Sequence, residues 1–239
     1  MPKPNDHVLI VGGTSGLGFA LAGAARARGC RVTIAGRDAE RAAARAAEIG
    51  PEVRGLHLDL EDTATIAAAL AGDEPINHLV LTPVHAGNQT IRDFDPEIAL
   101  QAVRIKIVGY LAVVHAALPR LRPDSSITLF GGLAKANPYP GSTLVSAVNG
   151  AVVGMTRTLA VELSPIRVNG ISPCVVDDSP RWQKRIAEGA GPVVEAFRGR
   201  SPSRRLASTE DIVQGVFFLM DNRAANGMDL ELDGGIQLV

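Results

Sequence analysis

A chain of 239 residues, 46% hydrophobic and 21% charged, has room for a large core and the composition of a globular protein. Its net charge of −1 argues against a nucleic-acid footprint or an anionic membrane surface as the main partner. The opening Met1-Pro2-Lys3-Pro4-Asn5-Asp6 lacks a secretion-signal core, and no stretch approaches the ~20 apolar residues that cross a bilayer, so a cytoplasmic location is expected.

In chain order, the apolar run Val8–Val11 predicts a strand that enters a glycine turn, with a helix over Leu17–Arg28. Further strands are predicted over Arg31–Ala35, Val53–Leu58, Asn77–Leu81, Ser126–Phe130, Arg167–Ile171 and Asp229–Leu232. Ala-rich helical patterns fill the gaps at Ala39–Ile49, Thr63–Ala71, Glu97–Leu118, Thr143–Leu163 and Thr209–Met220. Asp38 and Thr209 are candidate N-caps, and Gly29 and Gly50 candidate stops. Apolar strands alternating with helices imply an α/β, doubly wound parallel sheet of about seven strands, with helices on both faces. No linker divides the chain, so residues 1–239 are expected to form one dinucleotide-binding domain. The long irregular stretch at 177–207, rich in Pro, Gly and Arg, is expected to be a substrate loop or lid. Cys30 and Cys174 make no disulfide framework, and two reduced thiols are expected; no metal site is.

The first turn carries the chemistry of phosphate binding. Gly12 allows a sharp turn after the strand, Gly16 lets backbone approach a pyrophosphate, and Gly18 lets the helix pack on the sheet. The helix N-terminus then offers unpaired N–H groups to the phosphates. A lone glycine pattern is weak, but this one follows a strand and opens a helix. At the end of the second strand Gly36 holds no carboxylate to repel a 2′-phosphate, and Arg37 offers a guanidinium to bind it. NADP(H) is therefore expected over NAD(H). Asp59 suits a contact to the adenine amino group, its alternative role being a helix cap.

Several motifs occur in order: Val11-Gly12-Gly13-Thr14-Ser15-Gly16-Leu17-Gly18, Asp59-Leu60, Gly154-Met155-Thr156-Arg157, Arg167-Val168-Asn169-Gly170-Ile171-Ser172-Pro173 and Leu232-Asp233-Gly234-Gly235. Along its whole length the chain resembles the short-chain dehydrogenase/reductase family of one-domain Rossmann enzymes. The resemblance implies a nicotinamide cofactor held by Gly12, Thr14, Ser15, Gly16, Leu17 and Gly18, by Arg37, Asp59 and Leu60, and by Asn149, Pro173 and Val175.

In that family a Tyr exchanges the substrate's proton, a Lys lowers that Tyr's pKa and holds the nicotinamide ribose, a Ser polarises the carbonyl, and an Asn anchors a relay water. Counting back from Gly154-Met155-Thr156-Arg157, the Lys position falls at Asn149, the Tyr position at Val145 and the Ser position at Gly132. The Asn position, set by Gly109, falls at Lys106. All four have changed. The family's Asn-Asn-Ala-Gly gives way to Leu81-Thr82-Pro83-Val84, and its later Pro-Gly to Pro173-Cys174.

Lys106 is the first candidate for chemistry, against a solvated or interface lysine. Asn149 could hold the nicotinamide ribose or be an inert helix residue. Tyr139 could reach the cleft or sit in a surface Pro-Tyr-Pro turn. Tyr110 shares the Lys106 helix face, where interface packing is the plainer role. Ser142, Thr143 and Ser146 flank the active-site helix. His85 is a candidate substrate contact or a solvent-facing loop residue, and Cys174 offers backbone rather than a nucleophile.

Three functions stay open for a small-molecule substrate. One is an NADP(H)-dependent reductase whose substrate needs little enzymic proton donation, such as an iminium or an activated, conjugated carbonyl. Another is an isomerase, dehydratase or cyclase that uses Lys106. The third is a catalytically silent cofactor-binding subunit or sensor. Helices 97–118 and 143–163 carry excess apolar surface, and the resemblance implies that they pair into a homotetramer or homodimer.

Overall fold

The computed structural model describes residues 2–84 and 89–239. Seven strands run β1 (His7–Val11), β2 (Arg31–Gly36), β3 (Arg54–His57), β4 (Ile76–Leu81), β5 (Leu121–Phe130), β6 (Arg167–Pro173) and β7 (Asp229–Leu232). All pairs are parallel, in the order β3-β2-β1-β4-β5-β6-β7. The chain leaves β1 to both sides, so a crevice opens at the carboxyl ends between β1 and β4, where such sheets bind ligands.

The continuous apolar strands arise because both sheet faces are covered. Along β1, Val8 and Ile10 join one core cluster, with Leu21, Val213 and Phe217 from the helices of one face. Leu9 and Val11 join the other, with Tyr110, Val113 and Val152. A period of two therefore places an apolar residue on each side at every step.

The first face is formed by α1 (Gly16–Ala27), α2 (Ala39–Ile49) and α9 (Thr209–Asp221). On the other lie α3 (Thr63–Leu70), α4 (Pro96–Val103), α5 (Tyr110–Ala117) and α6 (Thr143–Glu162). A π turn, Arg104–Gly109, joins α4 to α5. Asp38 caps α2 by accepting from Arg41 N at 2.9 Å, as expected. The cap of α9 is Ser208 rather than Thr209, because Ser208 and Asp211 form a reciprocal capping box.

Two expectations need correction. The stretch 177–207 is largely helical: α7 (Pro180–Arg185) and α8 (Gly191–Arg200) run through a turn kinked at Gly189 (φ 100°). Pro at the first helical positions favours both starts, while the Gly and Arg content hides their periodicity. Further, Pro96–Arg120 and Thr143–Glu162 are long and apolar enough to cross a membrane by length and composition, with scattered polar residues such as Arg104 and Asn149 interrupting the apolar run. Both helices lie against the sheet here, and 33% of each apolar window is buried.

Candidate active site

A cleft of about 940 Å³ follows the crevice across the ends of β1, β2 and β4–β6 and under α7 and α8. Its near end is shaped by backbone. Gly12 adopts φ 81°, a left-handed conformation open mainly to glycine. A Cβ on Gly18 would lie 2.5 Å from the Gly12 carbonyl oxygen, so the missing side chain lets α1 seat on the turn. The α1 N-terminus has no side-chain cap and no acidic residue in its first turn, which leaves its N–H groups and dipole directed at the space lined by Ser15, Gly16 and Leu17. A Cβ on Gly16 would meet nothing within 4 Å. That open cradle, with free donors at its base, fits a diphosphate.

Along the same wall Gly36 packs on Thr14, where a Cβ would come within 2.8 Å of the Thr14 methyl. Arg37 is exposed, lines the cleft and makes no ion pair among the described residues. The Asp59 carboxylate also lines the cleft and accepts from Glu61 N at 3.0 Å. The cap of α3 is Asp62, which accepts from Ala64 N, so the helix-cap alternative for Asp59 is set aside.

Leu60 continues the wall, and Gly109 sits against it. A Cβ on Gly109 would approach the Leu60 Cβ and carbonyl oxygen to 2.7 Å. The helix that carries Lys106 therefore touches the wall formed by Asp59 and Leu60 directly.

The far end of the cleft is shaped by side chains. Lys106, on the π turn, is 2% exposed. Its Nζ donates to the Phe130 carbonyl at the end of β5 and to the Tyr110 hydroxyl at 3.4 Å. Burial, and secondarily the Arg181 guanidinium, bring its pKa down to about 7. Tyr110 is fully buried and does not line the cleft; its hydroxyl lies 2.9 Å from Pro83 O and 3.0 Å from Leu81 O, and burial pushes its pKa well up. It fastens the ends of β4 and β5 from within, so neither the interface nor the catalytic alternative holds.

Asn149 is 6% exposed and packs its amide against Gly132, where a Cβ would come within 2.7 Å of Nδ2. That amide makes no hydrogen bond among the described residues. Val145 lines the cleft one helical turn before it, half-buried. Tyr139 lines the cleft too and is 40% exposed. The nearby hydroxyls are committed: Ser146 Oγ donates to Ala134 O at 2.7 Å, and Ser142 Oγ accepts from Tyr139 N at 3.0 Å. Pro173 and Val175 complete the floor. Burial pushes the Cys174 thiol up to about 11, so it stays protonated at neutral pH and is a poor nucleophile. His85 lies outside the described residues. Among those residues no group of three His, Cys, Asp or Glu is placed to hold a metal ion.

The residues anticipated to hold the cofactor thus line one cleft together with Lys106 and Tyr139, whereas Tyr110 does not. Sequence reasoning missed Asn137, Arg181, Trp182 and Arg185, which line its far end. The Asn137 Nδ2 is buried without a partner among the described residues. The pair Ser179-Pro180 is a helix-start signal that could have revealed α7.

Comparison with known proteins agrees with this architecture. A family model described as enoyl-(acyl carrier protein) reductase matches residues 11–237. The chain is 30% identical over 249 residues to 2-(S)-hydroxypropyl-CoM dehydrogenase 3 of Xanthobacter autotrophicus, covering 98% of each. It is 32% identical over 230 residues to an "Inactive 2-(S)-hydroxypropyl-CoM dehydrogenase 2" of the same organism, covering 92% of this chain and all of that one. The solved structure of MalC reductase/Diels-Alderase from Malbranchea aurantiaca superposes with a TM-score of 0.89 at 28% identity, covering 99% of this chain and 97% of that one. The chain belongs to the short-chain dehydrogenase/reductase family. Its fold is that of an oxidoreductase-like member of that family, and the family binds nicotinamide cofactors.

Proposed function

We propose that this protein is an atypical, NADP(H)-dependent reductase of conjugated carbonyl compounds, a cytoplasmic enzyme whose substrate needs no phenolic proton donor. The family's Asn, Ser, Tyr and Lys positions carry Lys106, Gly132, Val145 and Asn149. The observation that carries the reading is the charge of the far end of the cleft. Lys106, Arg181 and Arg185 line it, and no carboxylate among the lining residues stands with them.

Such a site repels a cationic iminium and favours a substrate on which negative charge develops. When bound, NADPH supplies the hydride. The α1 turn, Arg37 and Asp59 would hold the dinucleotide, Asn149 its nicotinamide ribose, and Leu60, Pro173 and Val175 its flanks. Hydride addition to the β-carbon of an enone places charge on the enolate oxygen, which the Lys106 ammonium stabilises. The α-carbon then takes a proton from water or from Lys106, whose pKa of about 7 suits both directions of transfer. The helical segment 180–200, which covers this end with Trp182, Val193 and Phe197 as well as its two arginines, would serve as the lid that limits water there.

A non-redox reading draws support from the MalC name, since a Diels–Alder reaction needs no proton donor. A silent subunit draws support from the relative named inactive. NADPH oxidation separates the readings: cyclohexenone should be reduced at least ~100-fold faster than cyclohexanone or a cyclic iminium, the scale of a general-acid contribution. Equal rates for the two ketones would overturn the assignment. Tight NADPH binding without turnover of any of these would favour the silent subunit.

Assembly is part of the same proposal. Val108, Leu111 and Val161 stand 47%, 40% and 78% exposed on the two apolar helices. They would be covered in a homodimer or homotetramer.

A further inference from the structure

At the far end of the cleft, Arg181 is exposed on α7, lines the cavity and has no acidic partner among the described residues. The carboxylates closest to it in sequence are engaged elsewhere. Asp177 pairs with Arg198 at 2.5 Å, and Asp178 accepts from Thr209 N at 2.8 Å and Thr209 Oγ1 at 2.9 Å. The carboxylates that do line the cleft, Asp59 and Glu61, follow β3 at the opposite edge of the sheet.

The remaining polar groups there include further donors and no charged acceptor. The Asn137 Nδ2 is buried without an acceptor among the described residues, and Lys106 donates a hydrogen bond to Phe130 O. Around them the walls are apolar, formed by Val145, Val148, Val193, Phe197 and Trp182. Two donors without acceptors among the described residues, Arg181 and the Asn137 Nδ2, framed by apolar walls, select a ligand that brings its own negative oxygen on a hydrocarbon body.

We infer that the substrate is an amphipathic acid, whose carboxylate pairs with Arg181 at the mouth of the cleft while its apolar body runs inward toward Lys106. This rests on reading the cleft's far end as the substrate site of the proposed reductase. Arg181 has a second effect in that arrangement. Burial is the main cause of the lowered Lys106 pKa and the Arg181 charge adds to it; a bound carboxylate offsets that charge, so Lys106 gains proton affinity when an acidic substrate is in place. The substrate thereby helps to protonate the group that stabilises its own enolate.

The chain has one tryptophan, and Trp182 lines this end of the cleft with the Arg185 guanidinium 5.0 Å from its ring. Its fluorescence reports occupancy without turnover. With the cofactor site saturated by NADP⁺, octanoate should bind at least ~10-fold tighter than octanol, the scale of a charge-assisted contact. In Arg181→Met that preference should fall below about threefold, with melting temperature and NADP⁺ affinity unchanged. Calorimetry of the same titrations supplies a second readout should the fluorescence not respond.

Equal binding of acid and alcohol to the parent protein would overturn the inference. So would an acid preference that survives Arg181→Met, which would place the carboxylate on another cation. Loss of NADP⁺ affinity in Arg181→Met would also overturn it, by assigning the arginine to the cofactor. The redox reading fails separately: octanoate selectivity without NADPH oxidation by any enone leaves the acid site standing and removes the reductase.

Discussion

Around the α1 turn the cleft wall is backbone: glycines at 12, 16 and 18, a helix N-terminus without a cap, and strand ends in register. Across the ends of β4, β5 and β6 the wall is side chain, with Lys106, Val145, Asn149 and Arg181 arriving from three separate helices. The backbone wall depends on conformations that few residues adopt, so its sequence is constrained and its ligand is readable from it. The side-chain wall depends only on rigid helices to present residues. Its chemistry can be exchanged position by position while the fold stands.

Gly18→Val tests the backbone wall most severely. The new side chain would meet Gly12 O at 2.5 Å and Thr82 Oγ1 at 2.8 Å, and a carbonyl oxygen cannot swing aside. A loss of about 1–3 kcal/mol in stability and no measurable NADP(H) binding are expected by denaturant titration and calorimetry. Retained cofactor affinity would place the phosphates elsewhere.

Lys106→Met is the matching test of the side-chain wall. Turnover should fall ~10²–10⁴-fold while cofactor affinity holds. Stability should show the loss of charge as well. The folded pKa of about 7 lies below the ordinary 10.5, so between these values the unfolded chain holds the extra proton and stability rises with pH. That slope, about 1.4 kcal/mol per pH unit for one proton, should disappear from the variant between roughly pH 7 and 9. Above that range the raised Cys174 thiol acts in the opposite sense in both proteins. Parallel stability curves would show that Lys106 is not held neutral.

A smaller change is expected at the rim. Arg37→Ala should reduce the preference for NADP(H) over NAD(H) by about 10-fold or somewhat more, as for one charge-assisted contact. An unchanged ratio would remove Arg37 from the 2′-phosphate.

Smaller again is the expected gain from Gly132→Ser, Val145→Tyr and Asn149→Lys made together, assayed as cyclohexanone reduction. Gly132→Ser alone should fail, because its Cβ would meet the Asn149 amide at 2.7 Å. No gain from the triple variant would mean that the side-chain wall has drifted beyond exchange at those positions.

The strands were legible because a sheet covered on both faces leaves no polar step to interrupt Val8–Val11 or Leu79–Leu81. Helix ends were legible where one side chain decides them, as at Asp38. They were misjudged by one residue at Ser208, where two capping residues are adjacent and the partner Asp211 settles the choice. Helices α7 and α8 were missed because they bury little: Val194 is the one buried residue between their ends among the described residues, so no apolar stripe marks them. Tyr110 shows a further limit. Periodicity assigns it a helix face but not a depth, and only the assembled sheet shows its hydroxyl meeting the ends of β4 and β5 at Leu81 O and Phe130 O.

The contact between Gly109 and Leu60 has a consequence for how this scaffold changes over time. Any side chain at 109 would push the π turn off the wall at Leu60, so a substitution there disturbs both ends of the cleft at once. Position 106, three residues earlier, is held differently: the buried Lys106 is fixed by its side-chain hydrogen bonds to Phe130 O and the Tyr110 hydroxyl. The helix is thus seated on Leu60 by close backbone approach at 109 and tied to the far end of the cleft by a side chain at 106. An exchange at 106 would alter the far end without forcing the helix off Leu60, whereas one at 109 would do both.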